Sequence, residues 1–273
     1  MPSRAHAHDV VARGAVLVGG AVADKPARLV AESDAIVVDT GGRRFVSRGG
    51  DKLEAALERF AVVVAGRRCL DAGASTGGFT DCLLQRGAAS VMAVDVGYGQ
   101  LHPRIRADPR VTVRERTNIR RLADEQGDRF ELIVADLSFI SLTVVVPVLT
   151  GSLAAPGADL VILVKPQFEV GHVEVSRGRG VVRDPGLRRR ALAAVASALT
   201  DAGATIMGAM ASPVLGPAGN AEYLLWARTA SPRHEPPAGI DVAAGIAAAV
   251  DGSPDGRASD PPDVSPLAPP GDR

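Results

Sequence analysis

The chain is short of cysteine, with Cys69 and Cys82 alone among 273 residues. Their spacing is not that of metal ligands, so no metal site is expected and a reducing compartment is the default. No stretch approaches the ~18 uninterrupted apolar residues of a membrane helix, and the N-terminus lacks a charged-then-apolar signal pattern. A soluble, cytoplasmic protein is expected, without a membrane role. Lysine is scarcer still relative to its kind: of 31 basic residues only Lys25, Lys52 and Lys165 are not arginine. Arginine cannot give up its proton in a protein, whereas a buried lysine can be tuned to do so, so a lysine kept in this chain hints at a site that needs an amine. What is present is enough for a folded enzyme, since 46% hydrophobic with 23% charged residues allows a sizeable core and excludes wholesale disorder.

The net charge of zero hides a division. From Ser231 onward three arginines face seven acids, so residues 1–230 carry 28 basic against 24 acidic groups. Two runs are more basic still. Arg104, Arg106, Arg110, Arg114, Arg116, Arg120 and Arg121 are opposed only by Asp108 and Glu115. Arg177, Arg179, Arg183, Arg188, Arg189 and Arg190 are opposed only by Asp184. Such runs are often plain solvated faces, but two in one domain favour a phosphate-rich partner.

Residues 1–40 predict a short helix ending near Arg13 and Gly14, then strands at Val16-Leu17-Val18 and Ile36-Val37-Val38 with Gly19-Gly20 turning between them. Residues 43–50 read as a linker, and Leu53, Ala56, Leu57 and Phe60 mark an amphipathic helix after it. From Arg68 onward, apolar runs ending in Asp71, Asp95, Val113, Asp136, Lys165, Met207 and Trp226 alternate with helical stretches. The clearest of these helices spans residues 185–202, capped by Asp184 and closed by Gly203. Near-continuous apolar runs suit strands covered on both faces, so residues 51–230 predict a doubly wound α/β domain. Residues 231–273 hold nine of the 19 prolines and predict a disordered tail.

The first of these strands runs into Asp71-Ala72-Gly73-Ala74-Ser75-Thr76-Gly77-Gly78-Phe79-Thr80. Glycines after a first strand let backbone approach a nucleotide, and a helix beginning near Thr76 offers free amides. The spacing is not GxGxxG, which disfavours a dinucleotide. Asp95, ending the second strand, can accept both hydroxyls of a ribose. A tight turn with a helix cap is the plain alternative. Asp136 and Lys165 end the fourth and fifth strands, so both open onto the crevice where ligands of such sheets bind. Lys52 and Glu222 can complete a four-residue cluster there.

Those four places resemble the Lys-Asp-Lys-Glu set of FtsJ-like RNA 2'-O-methyltransferases. Phe45-Val46-Ser47-Arg48-Gly49-Gly50-Asp51-Lys52-Leu53, the segment 71–80, Val94-Asp95-Val96-Gly97-Tyr98-Gly99-Gln100-Leu101 and Val164-Lys165-Pro166-Gln167-Phe168-Glu169 are similar to the TlyA (haemolysin A) branch. The resemblance implies a Rossmann-like class I methyltransferase fold with a mostly parallel seven-stranded sheet over residues 51–230. It implies S-adenosylmethionine held by Asp71, Gly73, Ala74, Ser75, Thr76, Gly77, Gly78, Phe79, Asp95 and Asp136, and 2'-O-methylation of cytidine in ribosomal RNA of one or both subunits. It also implies a truncated RNA-binding module of the ribosomal protein S-four type over residues 1–42, with Arg4, Arg13, Lys25, Arg48, Arg104, Arg106 and Arg188 on the RNA. Phe45 stands where the branch usually has Trp. In this reading Lys165 accepts the hydroxyl proton, Asp136 orients it, and Lys52 and Glu222 fix the geometry. No protein partner is indicated, and a monomer is expected. Three other readings stay open: the same domain acting on a small molecule or protein, a membrane-active haemolysin, and an RNA-binding protein with an inactive catalytic domain.

Overall fold

The seven apolar runs pair, in this computed structural model, into one sheet that fixes everything around it. The structure describes residues 7–254 apart from 9, 12, 13, 24, 32, 33, 39–43, 126–128, 172–179 and 232–239. A small antiparallel sheet comes first, made of β1 (Val16–Val18), β2 (Ala21–Val22) and β3 (Ile36–Val38) in the order β2-β1-β3. Gly19 and Gly20 turn β1 into β2 rather than into β3, and β3 returns to the other side of β1. Val10, Val16, Val18 and Ala23 bury a core of their own beneath it.

Helix α1 (Arg48–Arg59) follows, then β4 (Arg68–Ala72), α2 (Gly78–Gln85), β5 (Ser90–Val94), α3 (Pro103–Arg106), β6 (Val111–Arg114) and α4 (Ile119–Glu125). Next come β7 (Phe130–Ala135), α5 (Leu142–Val148) with a π turn at Leu149–Leu153, β8 (Ala154–Val164) and the single turn α6 (Pro166–Glu169). The chain continues through α7 (Pro185–Asp201), β9 (Ala204–Ala211), β10 (Tyr223–Thr229) and α8 (Val242–Asp251). The sheet order is β6-β5-β4-β7-β8-β10-β9; β4 to β8 are parallel, and β10 runs antiparallel to both β8 and β9. This is the expected doubly wound, mostly parallel α/β sheet. Its order reverses at β4, so the crevice beyond Ala72, Val94 and Ala135 is a topological switch point.

Alternation along the central strands divides the core in two. Leu70, Ile133, Leu160, Ile162 and Leu225 face α5, α7 and α8, while Cys69, Leu132, Val134, Val161, Leu163 and Leu224 face α1 and α2. Each fully buried aliphatic side chain contributes about 1.5–3 kcal/mol. Helix α7 forms as its punctuation dictates: Asp184 accepts from Leu187 N (3.0 Å), Pro185 occupies the first turn, and Gly203 closes it at φ +80°.

The disorder expected over residues 231–273 is corrected for Val242–Asp251, which form α8. Asp241 caps it through Ala244 N (2.9 Å), and Ile246, Ala249 and Val250 are buried against β9 and α7. Proline content averaged over the tail masked a proline-free run, 240–253, whose apolar residues recur at three and four places.

Candidate active site

The first glycine-rich turn is shaped by what it must leave room for. Gly73 sits at φ +89°, and a Cβ there would lie 2.4 Å from the carbonyl oxygen of Asp136 on the neighbouring strand end. Gly77, at φ +93°, is the N-cap of α2 and has no side chain to offer it, so the helix begins without a side-chain cap where Gly78 lines the crevice. Asp95 binds the turn from the side, accepting from Ser75 N (2.8 Å) and Gly97 N (2.7 Å). Beneath lies Asp71, fully buried. It accepts from Thr80 Oγ1 (2.6 Å), and its Oδ1 has no hydrogen-bond partner among the described residues. Loss of water, opposed by the Thr80 bond and reinforced by the charges of Asp136 and Asp95, pushes its carboxyl up to about 7. Asp71 therefore underpins the turn rather than facing a ligand.

A cavity of about 520 Å³ opens beside this turn, lined by Gly73, Ser75, Asp95, Val96, Thr117, Asn118, Ile119 and Leu137 among others. It has a carboxylate at one side, apolar walls and an amide, which are the groups a nucleoside needs for its ribose, ring faces and ring edge. A second cavity, about 780 Å³, continues past Gly73 and Asp136 to Lys52, Arg48 and Ser47, and is closed on its far side by Gly19, Gly20, Asp34 and Ala35 of the small sheet. Asp136 and Gly73 line both.

Two ion pairs stand at this junction. Lys165 Nζ lies 2.5 Å from Asp136 Oδ1 and donates to Ser138 Oγ at 2.8 Å. Lys52, at the start of the second turn of α1, donates to Glu222, which precedes β10. Glu222 is 2% exposed, and a Cβ on Gly216 would press to 2.5 Å of its Oε1, so the loop before β10 is moulded on this carboxylate. Removing one partner of such a buried pair leaves an uncompensated charge and costs about 3–5 kcal/mol. Phe139 beside them is 92% exposed at φ +63°, its ring 5.2 Å from that of Phe168.

A family profile described as FtsJ-like methyltransferase matches residues 45–229 of the chain. The chain belongs to the FtsJ-like methyltransferase family. Its relatives lie in the TlyA branch. The "16S/23S rRNA (cytidine-2'-O)-methyltransferase TlyA" of Mycobacterium tuberculosis is 55% identical over 85% of this chain and 86% of its own length. "Hemolysin A" of Brachyspira hyodysenteriae is 41% identical over 81% of this chain and 92% of its own. A solved structure of a candidate hemolysin from Streptococcus thermophilus superposes with a TM-score of 0.71 at 36% identity, covering 92% of this chain and 90% of that one.

On this FtsJ-like frame the structure brings Lys52 and Asp136 to one cavity, with Glu222 and Lys165 paired to them. Gly73, Ala74, Ser75, Thr76, Gly78 and Phe79 line the crevice, although Phe79 is only 3% exposed and packs into the core against Gly49. The basic residues divide. Lys25 and Arg48 are exposed, while Arg104 pairs with Asp81 (2.7 Å) and Arg106 with Glu115. Arg188 is a correction: it is 4% exposed and its Nε donates to Val182 O (2.8 Å), so it serves the fold instead of reaching RNA. Arg4 and Arg13 lie outside the described residues. Sequence reasoning missed Val96, Thr117, Asn118, Ile119 and Leu137 as lining residues. The signal was available, because Thr117 and Asn118 follow the carboxyl end of β6, where the same rule that found Asp95 and Asp136 applies.

Among the described residues no helix is long and apolar enough to cross a membrane, and no cluster of His, Cys, Asp and Glu could hold a metal.

Proposed function

We propose that this methyltransferase uses S-adenosylmethionine to methylate the 2'-hydroxyl of cytidine ribose in ribosomal RNA of one or both subunits, in the cytoplasm. The observation that carries the reading is the Lys165–Asp136 pair at the point where the two cavities meet, with Lys52–Glu222 across from it. The names of the relatives support the RNA substrate. The fit of the cofactor rests on the Gly73 cradle, which a Cβ would fill, and on the carboxylate of Asp95 beside a nucleoside-sized cavity. When bound, S-adenosylmethionine supplies a methyl group already activated on sulfur, so the protein's share is alignment and proton removal.

Asp95 would hold the adenosyl ribose hydroxyls, and the first amides of α2 would hold the carboxylate of the methionine part. The target ribose enters from the larger cavity, where Lys165 Nζ would accept the proton of its 2'-hydroxyl. Asp136 and Ser138 aim that nitrogen. Lys52, held by Glu222, fixes the nucleotide. Residues 1–42 act as the S-four-type RNA-binding module; the linker expected over residues 43–50 is shorter, since α1 begins at Arg48 with Ser47 as its N-cap, and Lys25, Arg48 and the remaining exposed arginines meet phosphates without reading bases. The target nucleotide is unpaired or flipped, because sequence-specific RNA recognition works on loops, bulges and ends whose bases can be splayed out.

Tritiated methyl transfer to isolated small and large ribosomal subunits tests this. Lys165→Arg keeps the charge but cannot accept a proton, so turnover is expected to fall about 100-fold or more with cofactor affinity near normal. Near-wild-type turnover in that variant sinks the proton-acceptor role and leaves Lys165 as an electrostatic clamp. Calorimetry covers the cofactor: Asp95→Ala is expected to weaken S-adenosylmethionine binding severely, and equal binding removes Asp95 from the site.

A further inference from the structure

Two loops carry the groups placed at the reacting hydroxyl. Residues 136–141 supply Asp136, Ser138 and Phe139, and residues 165–169 supply Lys165 and Phe168. They are tied at both ends. At the crevice, Lys165 Nζ meets Asp136 Oδ1 (2.5 Å) and donates to Ser138 Oγ (2.8 Å). At the far end the carboxylate of Glu169 accepts from Ser141 Oγ (2.6 Å) and from Leu142 N (2.9 Å). Between the two ties the rings of Phe139 and Phe168 lie 5.2 Å apart at 53°.

The far tie is more than a helix cap. Ser141 already caps α5 by itself, its Oγ accepting from Thr143 N (3.3 Å). Glu169 comes from another loop and loses water to make its two contacts; burial raises its carboxyl above the usual range even against those bonds. It also stands one helical turn from Lys165. That turn, α6, opens on Pro166 and closes through Val170 N to Pro166 O (3.0 Å), so a displacement of Glu169 is passed to Lys165. Phe139, a non-glycine residue at φ +63°, keeps that conformation only where its surroundings over-determine it.

We infer that Glu169 is a positioning residue: it locks the 136–141 loop to the 165–169 turn, and so holds Lys165, Asp136 and Ser138 in reacting register. The inference rests on the role proposed above for Lys165. Amide exchange and methyl transfer to ribosomal subunits, measured on the full chain, test it together. Glu169→Ala is expected to speed exchange tenfold or more in peptides covering both loops. It is also expected to cut kcat at least fivefold, with KM for subunit and cofactor within threefold. Glu169→Gln is expected to restore both, since its oxygen accepts from Leu142 N and its NH2 donates to Ser141 Oγ. Asp241→Ala, which removes the cap of α8, is expected to lower melting temperature with neither effect.

Wild-type exchange in Glu169→Ala, a kcat loss under fivefold, or a Gln variant as poor as the Ala one overturns the inference. If Glu169→Ala does not fold, Ser141→Ala decides. Faster exchange in both loops with a threefold kcat loss upholds the tie, and wild-type behaviour overturns it. If the wild-type chain methylates neither subunit the functional proposal fails, while the exchange data still decide whether Glu169 joins the loops.

Discussion

Replacing Gly73 by alanine separates what the glycine-rich turn does from what glycine does anywhere. Two costs add. A residue with a Cβ at φ +89° is strained by about 1–2 kcal/mol. The added Cβ would also stand 2.4 Å from Asp136 O and 2.9 Å from Asp136 C, against an ordinary contact of 3.4–4 Å. Neither atom belongs to a flexible side chain, so strand β7's end must retreat by roughly 1 Å, an overpacking cost of about 1–3 kcal/mol. Together these predict a loss of about 2–5 kcal/mol, or a melting temperature lower by roughly 5–15 °C. The retreat also carries Asp136 away from Lys165, so methyl transfer should fall well beyond the effect on stability. Gly203→Ala is the comparison: φ is +80° but nothing lies within 4 Å of its Cβ, so only the strain remains, about 1–2 kcal/mol with turnover intact. Scanning calorimetry and subunit methylation of the two variants give the answer. A Gly73→Ala enzyme no less stable and no less active than Gly203→Ala refutes the steric reasoning.

Ile246→Ala is expected to cost about 2–4 kcal/mol in urea unfolding, because the side chain is 5% exposed against β9 and α7. An unchanged midpoint would return residues 240–253 to a dispensable tail. Asp71 gives a pH signature: from 3.8 to about 7 the folded chain keeps a proton that the unfolded chain releases. Stability therefore falls as pH rises through that window and levels off above it. Asp71→Asn should escape that fall and gain on the wild type by roughly 2–4 kcal/mol between pH 4 and pH 8. Parallel pH profiles for the two would show Asp71 to be ionised throughout.

The seven strands of the main sheet were legible because each is a near-continuous apolar run, and Asp184, Pro185 and Gly203 wrote the limits of α7 into the sequence. Asp136 and Lys165 were legible for a geometric reason, since the end of a parallel strand opens onto the crevice wherever the sheet is. Lys52 and Glu222 were placed in the same cluster by resemblance to the family's Lys-Asp-Lys-Glu set, but no local pattern announced their mutual contact. It joins residues 170 apart, and only the antiparallel insertion of β10, which no local pattern announces, brings the start of that strand to the end of the others. Arg188 misled because charge in a sequence carries no burial, and its partner is a backbone carbonyl that any residue supplies. Strand β2 escaped notice for its length, two residues after a double glycine.

The reversed strand also sets an order of events during synthesis. Among the described residues β9 pairs only with β10, and β10 pairs with both β8 and β9. As the chain leaves the ribosome, β9 emerges with no neighbour to join and waits until residue 229 has followed. Until then β8 is an open edge, exposed to pairing with other chains. The carboxylate that holds Lys52 arrives in the same step, because Glu222 immediately precedes β10. Completion of the sheet and completion of the site therefore depend on the same strand, and a chain that stops short of β10 has neither.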